Sequence, residues 1–198
     1  MTRGDEKGAI FCYQESVKLR PGIPDVWYNL ALLFEKTGER KEALATHITA
    51  GKLFPGDYRF PAEHARLLAE SGKYSEAIAA ASDALVSAPY SPTLLANKAG
   101  YLIFAGNPNE AQQTADQALA IDPNCSLAIL HKAHAQAALV DAAKAKETLE
   151  NRLSAVPDDC RLQKLLANIQ VRNKECEEGL ASIEKSFCST QTMPKAGA

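Results

Sequence analysis

The chain has 198 residues, room for one or two domains, and spends 34 of them on alanine while aromatic residues make up only 7%. That balance favours close-packed helices and disfavours an all-β sandwich or barrel, which needs more β-branched and aromatic side chains. With 22 basic residues against 24 acidic ones and a net charge of −2, no global excess draws a phosphate backbone or an anionic lipid, so neither nucleic acid nor membrane is an expected partner.

The first predicted element is a helix over about 5–19, where Ala9, Ile10, Tyr13 and Val17 form an apolar face. Residues 24–57 hold two helical stripes around a break at Gly38. Trp27, Leu30, Ala31 and Phe34 share one face of the first helix; Ala43, His47 and Ala50 share the inner face of the second, which ends at Pro55. Ala31 and Ala43 let the two helices approach closely while Trp27 and Phe34 fill the core, and His47 is expected as a packed, hydrogen-bonded histidine. Residues 58–91 repeat the pattern with Pro61 in place of Trp27, so this first helix is expected to start late with the proline in its first turn. Residues 92–125 and 126–159 repeat it again. Across these three units the position of Leu30 becomes His64, Lys98 and Lys132, which predicts slightly loose packing there. Residues 160–193 are degenerate, with Lys174, Gly179 and Gln191 replacing the glycine, alanine and proline, as suits a terminal unit facing solvent. The stretch Ser189 to Ala198 is small and polar and is expected to stay unstructured. Asn107-Pro108-Asn109-Glu110 reads as an N-cap, a proline at the first helical position and a capping-box glutamate, and Ser91-Pro92 repeats the cap with its proline.

One period governs these elements. Proline recurs at Pro21, Pro55, Pro89, Pro123 and Pro157, alanine at Ala9, Ala43, Ala77, Ala111 and Ala145, and glycine at Gly4, Gly38, Gly72 and Gly106, always 34 residues apart. The pattern W-x-x-L-A-x-x-F, then G, then A-x-x-x-H-x-x-A, then P closely resembles the tetratricopeptide repeat family. The resemblance implies an all-α, right-handed superhelical solenoid of about five and a half antiparallel helix pairs. Its units would be 24–57, 58–91, 92–125, 126–159 and 160–193, preceded by a second helix alone within 1–23 and followed by a tail at 194–198. It also implies that the first helices line a concave groove binding a peptide or a segment of a partner protein.

By phase, the residues facing that groove are Asp25, Tyr28, Asn29, Leu32 and Lys36; Arg59, Glu63, Arg66 and Glu70; Thr93, Asn97, Gly100, Ile103 and Phe104; Leu130, His131 and His134; and Arg161, Lys164, Asn168 and Arg172. Asn29 and Asn97 can bond both the N–H and the C=O of an extended peptide. Arg59, Arg66, Arg161, Lys164 and Arg172 offer charge-assisted contacts, and Tyr28, Ile103, Phe104 and Leu130 offer apolar anchors. Family members that clamp a chaperone's C-terminal carboxylate use a lysine followed four residues later by asparagine; here Asp25 and Glu63 would meet the anion, so that role is disfavoured. Asn29 and Asn97 are similar to part of the asparagine ladder of protein O-GlcNAc transferases.

No nucleotide-binding, metalloprotease, hydrolase or calcium-loop motif is present, so the chain is read as a non-enzyme without cofactor. His131 and His134 share a helix face, but the sequence names no third ligand, and they are read as solvated groove residues. The five cysteines (Cys12, Cys125, Cys160, Cys176 and Cys188) are odd in number and lack C-x-x-C spacing; together with the absence of an apolar leader after Met1 they point to the cytoplasm. Two alternatives stay open: the repeat region of a larger glycosyltransferase- or sulfotransferase-type enzyme that recruits protein substrates, and an assembly protein forming homo-oligomers through its exposed repeat ends.

Overall fold

The computed structural model describes residues 3–172, and among them the secondary structure is ten α-helices and no strand. They are α1 (Arg3–Leu19), α2 (Pro24–Thr37), α3 (Arg40–Leu53), α4 (Arg59–Glu70), α5 (Tyr74–Ser87), α6 (Pro92–Phe104), α7 (Pro108–Ile121), α8 (Ser126–Ala138), α9 (Ala142–Ala155) and α10 (Cys160–Arg172). The chain divides into two compact units, one up to Leu94 and one from Leu95 onward. In the first unit α2 packs on α3 and α4 on α5, with α1 against α2 and α3 against α4. In the second unit α8 packs on both α7 and α9, and α10 on α9 and α8. The readings placed on Lys174, Cys176, Gly179, Cys188, Gln191 and the tail at 194–198 lie outside the described residues.

The turns within the pairs show why glycine recurs. Gly38, Gly72 and Gly106 have φ of 85°, 77° and 81°, the left-handed region that costs glycine nothing. Each closes its helix with the same two bonds: Gly38 N–H donates to Glu35 C=O at 3.0 Å and Glu39 N–H to Phe34 C=O at 2.8 Å, and the pattern returns at Gly72 and Gly106. The next residue in phase is Val140. It makes the same turn, with Asp141 N–H donating to Gln136 C=O at 3.0 Å, at a φ of 63° and with 90% of its surface exposed. A β-branched side chain in this conformation is strained.

The in-phase alanines Ala43, Ala77, Ala111 and Ala145 are all fully buried, which lets paired helices close on one another. Around them, Ile10, Val17, Leu30, Phe34 and Leu67 form the core of the first unit, and Ile129, Leu149, Leu162, Leu165, Leu166 and Ile169 that of the second. Trp27 sits at the edge of its core, half-buried, because its indole N–H donates to the Pro21 carbonyl at 2.9 Å. Gln163, at the same phase in α10, donates to the Pro157 carbonyl. A side chain with an N–H at this position thus satisfies the carbonyl of a repeating proline.

Pro61 lies in the first turn of α4, which begins at Arg59, as its sequence position predicts. The capping expectations fared differently. Asn107 sits at the N-cap of α7 with no side-chain bond to the helix, whereas Ser91 Oγ accepts from Leu94 N–H at 3.4 Å. Asp141, not singled out from the sequence, caps α9 by accepting from Lys144 N–H at 3.3 Å. The looser packing expected at His64 is visible as a cavity of about 320 Å³ lined by His47, Gly51, Pro55, Pro61, His64 and Asp83. Among the described residues, no helix is long and apolar enough to cross a membrane.

Candidate functional site

In the first unit the groove candidates meet on the faces of α2 and α4. Tyr28, on α2, is half-buried; its hydroxyl donates to Glu63 Oε1 at 3.4 Å, and the Arg59 guanidinium lies 5.1 Å from its ring centroid. Burial and then the neighbouring Glu63 carboxylate push the phenol above its ordinary range. Arg59 Nε and Nη2 grip the Asp57 carboxylate, with the shorter contact at 2.7 Å, while its Nη1 reaches Asp25 at 2.8 Å. Arg66 is held by three carboxylates: Glu63 at 2.7 Å, Glu70, and Glu35. Glu70 also takes Arg40, and the Glu35 carboxylate lies 3.3 Å from His47 Nε2.

Tyr28, Arg59, Glu63 and Arg66, four residues chosen from the sequence, therefore belong to one continuous network across α2, α3 and α4. In the free chain both arginines are already engaged, which differs from the expectation that they stand ready for a partner. Opposite charges within reach stabilise the charged forms: Asp57 is held low chiefly by Arg59, and Glu70, despite partial burial, by Arg66 and Arg40. Glu35 and Asp57 escaped the sequence reading. Glu35 lies two helical turns after Tyr28, on the same face, and that spacing could have found it. His47 is packed and hydrogen-bonded as expected, 1% exposed, yet its Nδ1 is buried without a partner. Burial holds its pKa below the ordinary value.

Asn29 lies on the other side of α2, at an open cavity of about 340 Å³ between α1 and α2, lined also by Glu6, Ala9, Tyr13, Leu32, Leu33 and Lys36. Lys36 Nζ and Glu6 Oε1 pair there at 3.2 Å.

In the second unit, Asn97 is half-buried on α6 and Phe104, 67% exposed, ends that helix. Gly100 is buried, not groove-lining: a Cβ at this position would stand 2.8 Å from His131 Nε2, so the missing side chain makes room for the imidazole ring. His131 is thus half-buried against α6 rather than fully solvated, and His134 is half-buried too. Burial, with His134 and Arg161 adding, lowers the His131 pKa to about 4. His134, also lowered by burial, places Nδ1 3.1 Å from the Leu130 carbonyl, and the two rings lie 6.4 Å apart. Among the described residues, no group of three or more His, Cys, Asp or Glu is arranged to hold a metal ion. On α10, Arg161, Lys164 and Asn168 are all exposed, and Arg161 Nε lies 3.6 Å from Asp159. Cys12 and Cys125 are free thiols, and Cys160 Sγ donates to the Asp158 carbonyl at 3.6 Å.

Comparison with known proteins agrees with this architecture. A tetratricopeptide repeat family model matches residues 68–127 and 102–169. The chain is similar in structure to a tetratricopeptide repeat protein from Parabacteroides merdae, with a TM-score of 0.84 at 21% identity over 98% of this chain and 76% of that one. It is also similar to PilW, a type IV pilus biogenesis factor (TM-score 0.76, 21% identity, 86% of this chain and 79% of that one). YrrB, described as having an unusual peptide-binding site, gives a TM-score of 0.68 at 15% identity over 91% of this chain and 93% of that one. No curated protein sequence matches. The fold is an all-α repeat solenoid, and with its glycine turns, its buried alanines and a family model spanning residues 68–169, the chain belongs to the tetratricopeptide repeat family.

Proposed function

We propose that this chain is a protein-interaction module that binds a peptide or segment of another protein along the faces of its first helices. The observation that carries this reading is the convergence of Tyr28, Arg59, Glu63 and Arg66 on adjoining faces of α2 and α4, beside a cavity bordered by Asn29. A half-buried aromatic ring, an arginine stacked on it and a neighbouring recess are the ingredients of an interface anchor. Family membership supports the general role, and the peptide-binding site described for YrrB supports the peptide class of ligand. In the second unit, Phe104, Arg161, Lys164 and Asn168 offer exposed side chains, and Asn97, His131 and His134 are half-buried.

The test is affinity capture with the intact chain followed by mass spectrometry, alongside Arg59→Glu, Arg66→Glu and Phe104→Ala variants that retain the helical circular dichroism spectrum. A changed set of captured partners is expected from each variant. An unchanged set of captured proteins means that these faces are not where partners bind.

A further inference from the structure

Helix α2 separates two different surfaces. On its α1 side lies the cavity of about 340 Å³, whose walls are mainly Ala9, Tyr13, Leu32 and Leu33; an ion pair at its edge, Lys36 with Glu6, is neutral as a unit. On its α4 side lies the charged wall, where five carboxylates (Asp25, Glu35, Asp57, Glu63 and Glu70) face three guanidiniums (Arg40, Arg59 and Arg66). The imbalance is two negative charges. Every side-chain nitrogen of Arg59 and of Arg66 already faces a carboxylate, so an arriving anion meets arginines whose charge is offset and a wall with negative charge in excess. Each carboxylate offers about four acceptor positions, and an arriving cation finds acceptors still open. Leu32, 39% exposed, and Asn29 lie on the strip of α2 between the two surfaces.

Resting on the interaction reading above, we propose that the first unit binds a cationic segment of a partner protein. The segment seats one large apolar side chain in the cavity between α1 and α2, and places a lysine or arginine over the wall formed by α2 and α4. Packed helices stand about 8–10 Å apart, a span of roughly three residues of extended chain, so the apolar and basic side chains lie about three positions apart in the segment. Asn29 stands between them, where its amide can bond the segment's backbone. Because the wall carboxylates are partly exposed, salt weakens their attraction.

Three fluorescein-labelled twelve-residue peptides test this. All share the same phenylalanine and leucine positions and differ only in carrying lysine, serine or glutamate at four other sites. Each is titrated with the intact chain by fluorescence anisotropy at low and high salt, and amide chemical-shift changes locate the contact. The lysine peptide is expected to bind about tenfold more tightly than the serine peptide, with the glutamate peptide weakest and the advantage shrinking as salt rises. Glu63→Gln and, as a more exposed second variant, Asp25→Asn lower affinity for the lysine peptide and leave the serine peptide unchanged. Leu32→Ala weakens all three. Serine or glutamate peptides that match the lysine peptide while shifting amides of α2 and α4 would overturn the cationic assignment and leave the interaction reading standing. If every peptide leaves α1, α2 and α4 undisturbed, both readings fall.

Discussion

Val140→Gly is expected to make the chain more stable. The turn between α8 and α9 is closed at a φ of 63° by a residue that, in the three preceding turns of the same phase, is glycine at 77° to 85°. The left-handed conformation costs an L residue about 1–2 kcal/mol, because Cβ crowds the following carbonyl oxygen, and a β-branched side chain has no rotamer that relieves the crowding. Little is returned by packing, since the valine is 90% exposed at the rim of a shallow recess with Ala137, Ala142, Ile169 and Arg172. Glycine removes the strain but gives the unfolded chain more freedom, which costs about 0.5–1 kcal/mol. The difference favours glycine by about 0.5–1 kcal/mol, a rise of about 1–4 °C in midpoint for a chain of this size. Urea and thermal unfolding followed by far-UV circular dichroism measure it. The mirror variant is Gly72→Val: Gly72 has a φ of 77° and an added Cβ would meet nothing within 4 Å, so its expected loss of about 1–2 kcal/mol reports backbone conformation without a clash. A Val140→Gly midpoint equal to or below that of the parent would refute the strain argument.

Three further outcomes follow from the packing and titration described above. Gly100→Ala drives a methyl into the His131 ring and is expected to cost about 1–3 kcal/mol; adding His131→Ala should recover part of it, and a double-mutant cycle with no coupling contradicts the contact. All four histidines, His47, His64, His131 and His134, are held below their ordinary pKa, chiefly by burial. A depressed folded-state value means that the unfolded chain takes up protons first, so their stabilisation is complete above about pH 6.5 and is lost as the pH falls through each lowered value. His131, at about 4, contributes at most about 3 kcal/mol to that loss, and His131→Gln should flatten the stability profile between these limits; parallel profiles would contradict the burial. Phe60 is fully buried, with its ring 5.9 Å from Phe54 and 6.2 Å from both Tyr28 and His47. Phe60→Ala is expected to cost about 3–5 kcal/mol in urea unfolding, and a loss below about 1 kcal/mol would mean that the four rings do not form a packed cluster.

The helices, their glycine turns and the buried alanines were legible in the sequence because each is fixed by local chemistry repeated in phase. What escaped it depends on atoms from different helices. Arg66 and Glu35 are 31 residues apart and Arg40 and Glu70 are 30 apart, so no spacing rule within one helix announces that these charges will satisfy one another. Asn107 had the right residue type for a cap but makes no side-chain bond to the helix. At Val140 the period itself carried the signal, since the turn geometry is inherited from the three glycine turns even though the residue is unsuited to it. His131 looked solvated because a helix-face argument sees its own helix alone, and the space it fills is provided by a glycine on α6.

That nesting of an imidazole over a bare backbone also limits how this array can be rebuilt by gene duplication or shuffling. The residues in the phase of Gly100 elsewhere in the chain are Leu32, Arg66, His134 and Asn168. A hybrid that copied the hairpin of Leu32, Arg66 or His134 into the place of α6 and α7 would bring a bulky substituent against the ring of the following hairpin. Hairpins that look interchangeable by their glycines and alanines are therefore individually addressed, and the order of at least this adjoining pair is written into the chain.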